Sequence, residues 1–326
     1  PWAEAVAVSG DAVAFVGDNA GARALIGPET RVVDLQGRLL LPGFIDTHIH
    51  IPESFPGVFA VQLTPDMNAE EVLAEIGRHA AEHPGQSPVV GFGFLAKAFG
   101  PTGPTAAQLD AVVPDRPAII TDEGGHTAWV NTEAMRVAGI TRETPDPVPG
   151  AHYYQRHRDG TPTGWMVESA AFSPVVEALD VISRERLEQG ADVFLPLMSS
   201  MGITAAFDAG TIDTGELGMA VLHARAEAGQ LPLRVVGSYY VNTPAQMPDA
   251  IETVKRLNAQ YHSEFFAIDT LKISLDGTVE AGTAVTLAPY REPEGHRAAP
   301  LVPRDPTLEV VVAAGREDMN LHIHAL

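Results

Sequence analysis

The chain has 326 residues, a length that suggests about two domains and allows a large buried core. Its 21 Lys and Arg against 42 Asp and Glu give a net charge of −21, which repels phosphate backbones and anionic lipid and argues against nucleic-acid or membrane-surface partners. Cysteine is absent, which excludes disulfides, thiolate nucleophiles and zinc–sulfur sites, so any metal must be held by His, carboxylate or a modified Lys.

Short strands are expected at Ala5–Val8, Ala12–Val16 and Arg31–Leu35, separated by the turn signals Gly10-Asp11, Gly17-Asp18 and Gln36-Gly37. The sequence then reads Leu39-Leu40-Leu41-Pro42-Gly43-Phe44-Ile45-Asp46-Thr47-His48-Ile49-His50-Ile51. Pro42-Gly43 predicts a turn into a buried strand over Phe44–Ile51, where period two puts His48 and His50 on one face with Asp46 one step behind. Two imidazoles on one face can share a cation. The spacing alone is equally compatible with one packed and one solvated ring.

No helix is expected directly after His50. Asn68 with Glu71 predicts a capping box and a helix to about His83; Pro88–Leu95 predicts a strand. Thr105 with Gln108 predicts a short helix through Val112, and Ala118–Thr121 a further strand, leading to Asp122-Glu123-Gly124-Gly125-His126-Thr127-Ala128-Trp129-Val130-Asn131. By the residues alone, that Gly pair and His are as consistent with a plain turn as with a site. Ser183–Met201 has helical apolar spacing interrupted by Pro196 and closed by Gly202. Strands follow at Ile203–Asp208 and Leu233–Val241, with helices at about Gly215–Ala228 and around Ile251, Val254, Leu257 and Tyr261.

The next strand, Thr270-Leu271-Lys272-Ile273-Ser274-Leu275-Asp276-Gly277, carries the second chemical signal. Alternation puts Lys272, Ser274 and Asp276 on one face and Leu271, Ile273 and Leu275 on the other. An enclosed Lys is costly as an ammonium, so burial favours the neutral amine, which can combine with carbon dioxide to give an anionic carbamate. An ion pair of Lys272 with Asp276 or with another buried acid is the competing reading. Five prolines within Pro289–Pro306 predict a long loop, a candidate lid. Asp305 as N-cap and Pro306 at the first position begin a helix to about Glu317, and Leu321–Ala325 forms a last strand with a second His-x-His, His322 and His324. His79, His83, His223 and His262 fall on helices and are expected to be solvated, whereas His152, His157 and His296 fall in loops without a nameable partner.

The string Pro42-Gly43-Phe44-Ile45-Asp46-Thr47-His48-Ile49-His50 resembles the first barrel strand of the amidohydrolase superfamily. The segment Gly125–Asn131, together with Pro145-Asp146-Pro147 and Gly160-Thr161-Pro162-Thr163-Gly164, resembles its amidohydrolase-3 branch, which includes N-substituted formamide deformylase-like enzymes. The resemblance implies an α/β fold, a TIM (β/α)8 barrel of which strands one to five are present, after a small N-terminal β-sandwich. On that scheme residues 1–40 are part of the sandwich and 41–326 the barrel, with an insertion at about 51–200 between strands one and two. It also implies a metal site of His48, His50, Lys272 and His324, with Lys272 carboxylated and bridging, and His322 packed or supporting. The expected cofactor is one or two divalent ions, zinc foremost, that acidify bound water to supply hydroxide for cleaving a C–N bond of an amide, formamide or cyclic amide. His126 and Trp129 are candidates for substrate contact, with Asp122 as a structural neighbour.

Barrel closure needs three more β/α units, and the general base, an Asp, is expected beyond Leu326. A small-molecule substrate is the expected partner, with homo-oligomerisation left open. A cytoplasmic location is expected, because no apolar run approaches the roughly 18 residues of a membrane span. Two other classes remain open: a catalytically inactive ligand-binding or regulatory barrel, and a single-metal isomerase or lyase.

Overall fold

The computed structural model describes residues 2–279, 281–291 and 295–326. The chain divides after Pro42 into two units. In the first, β1 (Ala5–Ser9) and β2 (Ala12–Gly17) pair antiparallel about Gly10, whose φ of +62° suits the turn. The short helix α1 (Asn19–Arg23) follows, with Asp18 Oδ1 accepting from Gly21 N at 2.7 Å. The expected strand at Arg31–Leu35 does not form. Without a ladder partner, Val32 and Val33 stay exposed at 65% and 62%.

The second unit holds two sheets. The first strand of the larger unit is β3 (Phe44–Ile49), two residues shorter than expected, because the helix α2 (Ile51–Gly57) starts immediately after His50. Pro52 and Pro56 hide this helix from sequence reasoning, yet Pro52 sits in the first turn, where backbone N–H groups have no partner inside the helix, and only Pro56 lies inside it. Asp208 Oδ1 satisfies one of them, accepting from Ile51 N at 2.9 Å.

A six-stranded mixed sheet comes next in the chain: β4 (Val61–Gln62), β5 (Val89–Phe94), β6 (Ala118–Asp122), β7 (Thr127–Val130), β8 (Tyr153–Arg156) and β9 (Pro162–Val167), in the spatial order β4-β5-β6-β7-β9-β8. Its helices are α3 (Ala69–Glu82), α4 (Ala106–Asp110), α5 (Thr132–Val137) and α6 (Ser169–Ala178). The capping box of α3 is present: Asn68 Oδ1 accepts from Glu71 N at 3.1 Å, and Glu71 returns an acceptor to Asn68 N at 2.9 Å. β7, β8, β9 and α6 carry no strong periodicity and are absent from the sequence reading.

After α7 (Arg184–Ser200), capped by Ser183 and closed at Gly202 with φ +83°, the chain returns to the first sheet. It adds β10 (Ile203–Asp208), helix α8 (Gly215–Glu227), β11 (Arg234–Val241), helix α9 (Ala250–Gln260), β12 (Phe266–Ser274), helix α10 (Arg304–Arg316) and β13 (Asn320–His324). The order is β13-β12-β11-β10-β3, all parallel. Strand-helix alternation produces this arrangement, because each helix buries its apolar stripe on one face of the sheet. Ile51, Phe55, Leu187, Leu195, Leu222, Val235 and Phe266 share one such core, and each fully buried Leu or Phe contributes about 1.5–3 kcal/mol. Gly190 lets α7 approach α2 closely, since a Cβ there would collide with the Phe55 carbonyl.

The N-cap of α10 is Pro303, two residues before the expected Asp305, so Asp305 and Pro306 sit inside its first turn. The expected lid over Pro289–Pro306 includes residues 292–294, which lie outside the described residues; its described part forms neither helix nor strand before Arg304. Among the described residues no helix is long and apolar enough to cross a membrane.

Candidate metal centre

Parallel pairing brings the expected donors together. Lys272 is paired with His322 and Ser274 with His324, so β12 and β13 present corresponding side chains at the same level. His48, His50, Lys272, Ser274 and His324 line one cavity of 1080 Å³, joined there by Glu53, Asp213, Tyr240 and His126. Leu271 and Ile273 face the other way into a core with Val254 and Val310, as the alternation predicts.

Lys272 is 2% exposed and pairs with no carboxylate among the described residues. The competing Asp276 is engaged elsewhere, its Oδ2 accepting from Val285 N at 2.8 Å and its Oδ1 from Leu326 N at 3.1 Å. Burial lowers the Lys272 amine to about 8. The imidazoles are shifted the same way: desolvation first and then Lys272 lower His48, and desolvation lowers His50 against a raising contribution from the Gly210 carbonyl. Lys272, His48 and His50 are therefore biased toward the neutral forms that bind cations.

Backbone carbonyls aim two of the rings. His50 Nδ1 lies 2.7 Å from Gly210 O and His324 Nε2 lies 3.1 Å from Gly277 O, which assigns the protons to those nitrogens and leaves His50 Nε2 and His324 Nδ1 as lone pairs. His48 and His50 stand 5.7 Å apart, centroid to centroid. Among the described residues no three of His, Asp or Glu are already gathered at ligand distance around one point. The donor chemistry nonetheless suits a borderline divalent ion such as zinc, with Lys272 completing the set.

His322 is packed edge-on to His48 at 5.0 Å and against Phe207 at 5.2 Å, and its buried Nδ1 has no hydrogen-bond partner among the described residues. Desolvation, reinforced by Lys272, lowers it to about 4. Trp129 does not reach the cavity. It is fully buried, its Nε1 donates to Thr105 O at 2.8 Å, and it packs on Phe94 and Phe99, so its contribution is to the core of the mixed sheet. His126 does line the cavity, with Nδ1 2.9 Å from Glu168 Oε2, and Asp122 beside it accepts from Thr127 N at 2.8 Å. His79 and His223 are half-buried rather than solvated, His79 through Gln86 at 2.8 Å and His223 against Tyr261. His152 is fully buried and takes partners at both nitrogens, Asn242 O and Ala170 N, each at 3.2 Å.

The sequence reading missed a carboxyl pair on the same wall. Glu53 Oε1 accepts from Asp213 N at 3.1 Å, Thr214 N at 3.0 Å and Thr214 Oγ1 at 2.8 Å, while Asp213 accepts from Ser173 Oγ at 2.8 Å. Burial, and then the proximity of Asp213, raise Glu53 well above the usual carboxyl value. Asp208, at the foot of α2, is pushed by burial to about 7. Glu53 follows His50 by one helical turn, and only recognition of α2 would have shown it facing the site.

The geometry agrees with three comparisons. A profile of the amidohydrolase family matches residues 31–326. The exoenzymes regulatory protein AepA of Pectobacterium carotovorum subsp. carotovorum is 31% identical over the whole chain and 70% of its own length; the N-substituted formamide deformylase of Arthrobacter pascens is 34% identical over 52% of the chain and 31% of its own. A metal-dependent hydrolase of Pyrococcus horikoshii OT3 shares the fold with a TM-score of 0.66 at 19% identity, across 98% of this chain and 60% of that one. The chain thus spans from about a third to 70% of the length of these proteins. On the profile match and the AepA likeness, the chain belongs to the amidohydrolase family.

Proposed function

We propose that this chain carries the metal-binding residues of a hydrolase that cleaves a C–N bond in an amide, formamide or cyclic amide. The observation that carries the reading is Lys272: nearly inaccessible, paired with no carboxylate among the described residues, its amine lowered to about 8, and on one cavity with His48, His50 and His324. These four residues would hold one or two divalent ions, zinc foremost. When bound, such an ion polarises a carbonyl and acidifies water. Lys272 supplies a neutral amine whose nitrogen bonds to the carbon of carbon dioxide, releasing one proton and leaving a carbamate with an anionic oxygen donor. Gly210 and Gly277 orient two imidazoles without adding charge. The apolar wall of Val90, Phe92, Ile119, Phe172 and Val176 excludes water and suits a hydrocarbon substituent.

A screen of N-acyl, N-formyl and cyclic amides against the zinc-loaded protein, expressed from its intact gene, tests this. Release of amine and acid is expected. Binding without turnover would instead support the regulatory reading, which the name of AepA favours.

A further inference from the structure

Glu168 is buried at 2% exposure, yet the metal chemistry leaves it unused. Its backbone has φ +63°, a conformation uncommon for a residue with a side chain and one that persists where surrounding contacts impose it. Those contacts come from two separate segments. In the turn between β6 and β7, His126 places Nδ1 2.9 Å from Glu168 Oε2, and its carbonyl accepts from Glu168 N at 2.7 Å. In the loop after β12, Thr283 donates its hydroxyl to Glu168 Oε1 at 2.7 Å. Gly277 leaves the space for this pair, because a Cβ there would collide with both Thr283 Oγ1 and Glu168 Oε1. Thr283 is itself fixed, donating its N–H to Thr278 O at 2.9 Å and accepting at Oγ1 from Thr278 N at 3.0 Å.

An ionised carboxylate only accepts hydrogen bonds, so Nδ1 of His126 must carry the proton it offers to Glu168. The other ring nitrogen, Nε2, has no hydrogen-bond partner among the described residues, on a side chain that lines the cavity 5.7 Å from the His324 ring. In the neutral ring that nitrogen is a lone pair. A secondary amide or formamide carries one N–H beside its carbonyl, whereas a tertiary amide or an ester carries none. We propose that Glu168 is a positioning residue that fixes the Nδ1–H form of His126, presenting Nε2 to the cavity as acceptor for the N–H of a secondary amide or formamide. The substrate part of this inference rests on the reading of the site as an amide hydrolase; the tautomer does not.

Long-range proton–nitrogen correlation on protein labelled with 15N-histidine tests both, at a pH where the ring is neutral and with His126→Gln to assign the signals. The expected spectrum has a protonated Nδ1 and an unprotonated Nε2, and Glu168→Gln, whose amide can present either N–H or oxygen, mixes the two forms. The reverse tautomer in the unaltered protein overturns the proposal, and needs no variant to fold. An unchanged tautomer in folded Glu168→Gln and Glu168→Ala also overturns the role of Glu168. Adding N-hexylformamide should move the Nε2 resonance, while N-hexyl-N-methylformamide should leave it in place and bind about tenfold more weakly, the loss expected for one hydrogen bond. Equal shifts from both probes, or none, overturn the substrate part. Formate appearing in one-dimensional proton spectra of the same samples reports hydrolysis separately, so failure of the hydrolase reading is seen apart from failure of this one.

Discussion

The two sheets of the larger unit serve the site differently. The parallel sheet delivers the donors from strand ends: His48 and His50 at the end of β3, Lys272 on β12 and His324 on β13. The mixed sheet delivers the apolar wall from β5, β6 and α6, and His126 from the turn between β6 and β7. The difference teaches where chemistry is held by repetition and where by individual contacts. On β12 the period of two places Lys272 by itself, and loss of one neighbour would not redirect it. At the β6–β7 turn the placement of His126 depends on a single carboxylate with an uncommon backbone conformation.

The sharpest way to break this contrast is Lys272→Met, which keeps the length and fills the space but removes the donor. Turnover should fall by at least about 10³-fold with the fold intact, the scale on which loss of a metal's carbonyl polarisation is felt; kinetics with circular dichroism would check it. Next is Gly190→Ala, which tests whether the parallel sheet depends on the close approach of α7 to α2. A destabilisation of about 3 kcal/mol by urea unfolding is expected, as for overpacking in a core.

A third test concerns Glu53. Its folded value is raised, so the stability it contributes is present below the unfolded value of about 4.3 and is lost as pH rises through the folded value. Glu53→Gln keeps an oxygen for all three donors, which meet at Oε1, and removes the charge facing Asp213. The variant should gain on the unaltered protein as pH rises from about 6 to about 9, reaching about 2 kcal/mol by denaturant titration. A gap that shrinks over that range would show that Glu53 is not held protonated. The smallest effect is expected from Trp129→Phe, about 1 kcal/mol of stability for the lost hydrogen bond and volume, with KM unchanged because the ring lies outside the cavity.

The sequence made the parallel sheet legible because hydrophobic alternation and turn residues agree there. Ile203–Asp208 was located to the residue, and the shared face of Lys272 and Ser274 followed from spacing, whereas Asp276 lies beyond the end of β12 and outside the cavity lining. Helix α2 was illegible because Pro52 and Pro56 argue against any helix until the capping contact from Asp208, 157 residues away, is known. Trp129 misled for a related reason: an aromatic next to a candidate His reads as a site residue, and only the fold shows that β7 turns it into the core. Glu168 gives no local signal, since its partners Thr283 and Gly277 lie more than 100 residues downstream and its φ is a property of the assembled structure.

Elemental analysis of carefully purified protein, set beside the His48→Ala, His50→Ala double variant, tests the central claim most directly. The account predicts about one or two equivalents of a divalent ion in the unaltered protein and a loss of most of it in the variant, with near-identical far-ultraviolet circular dichroism. Equal metal content in the two would contradict it.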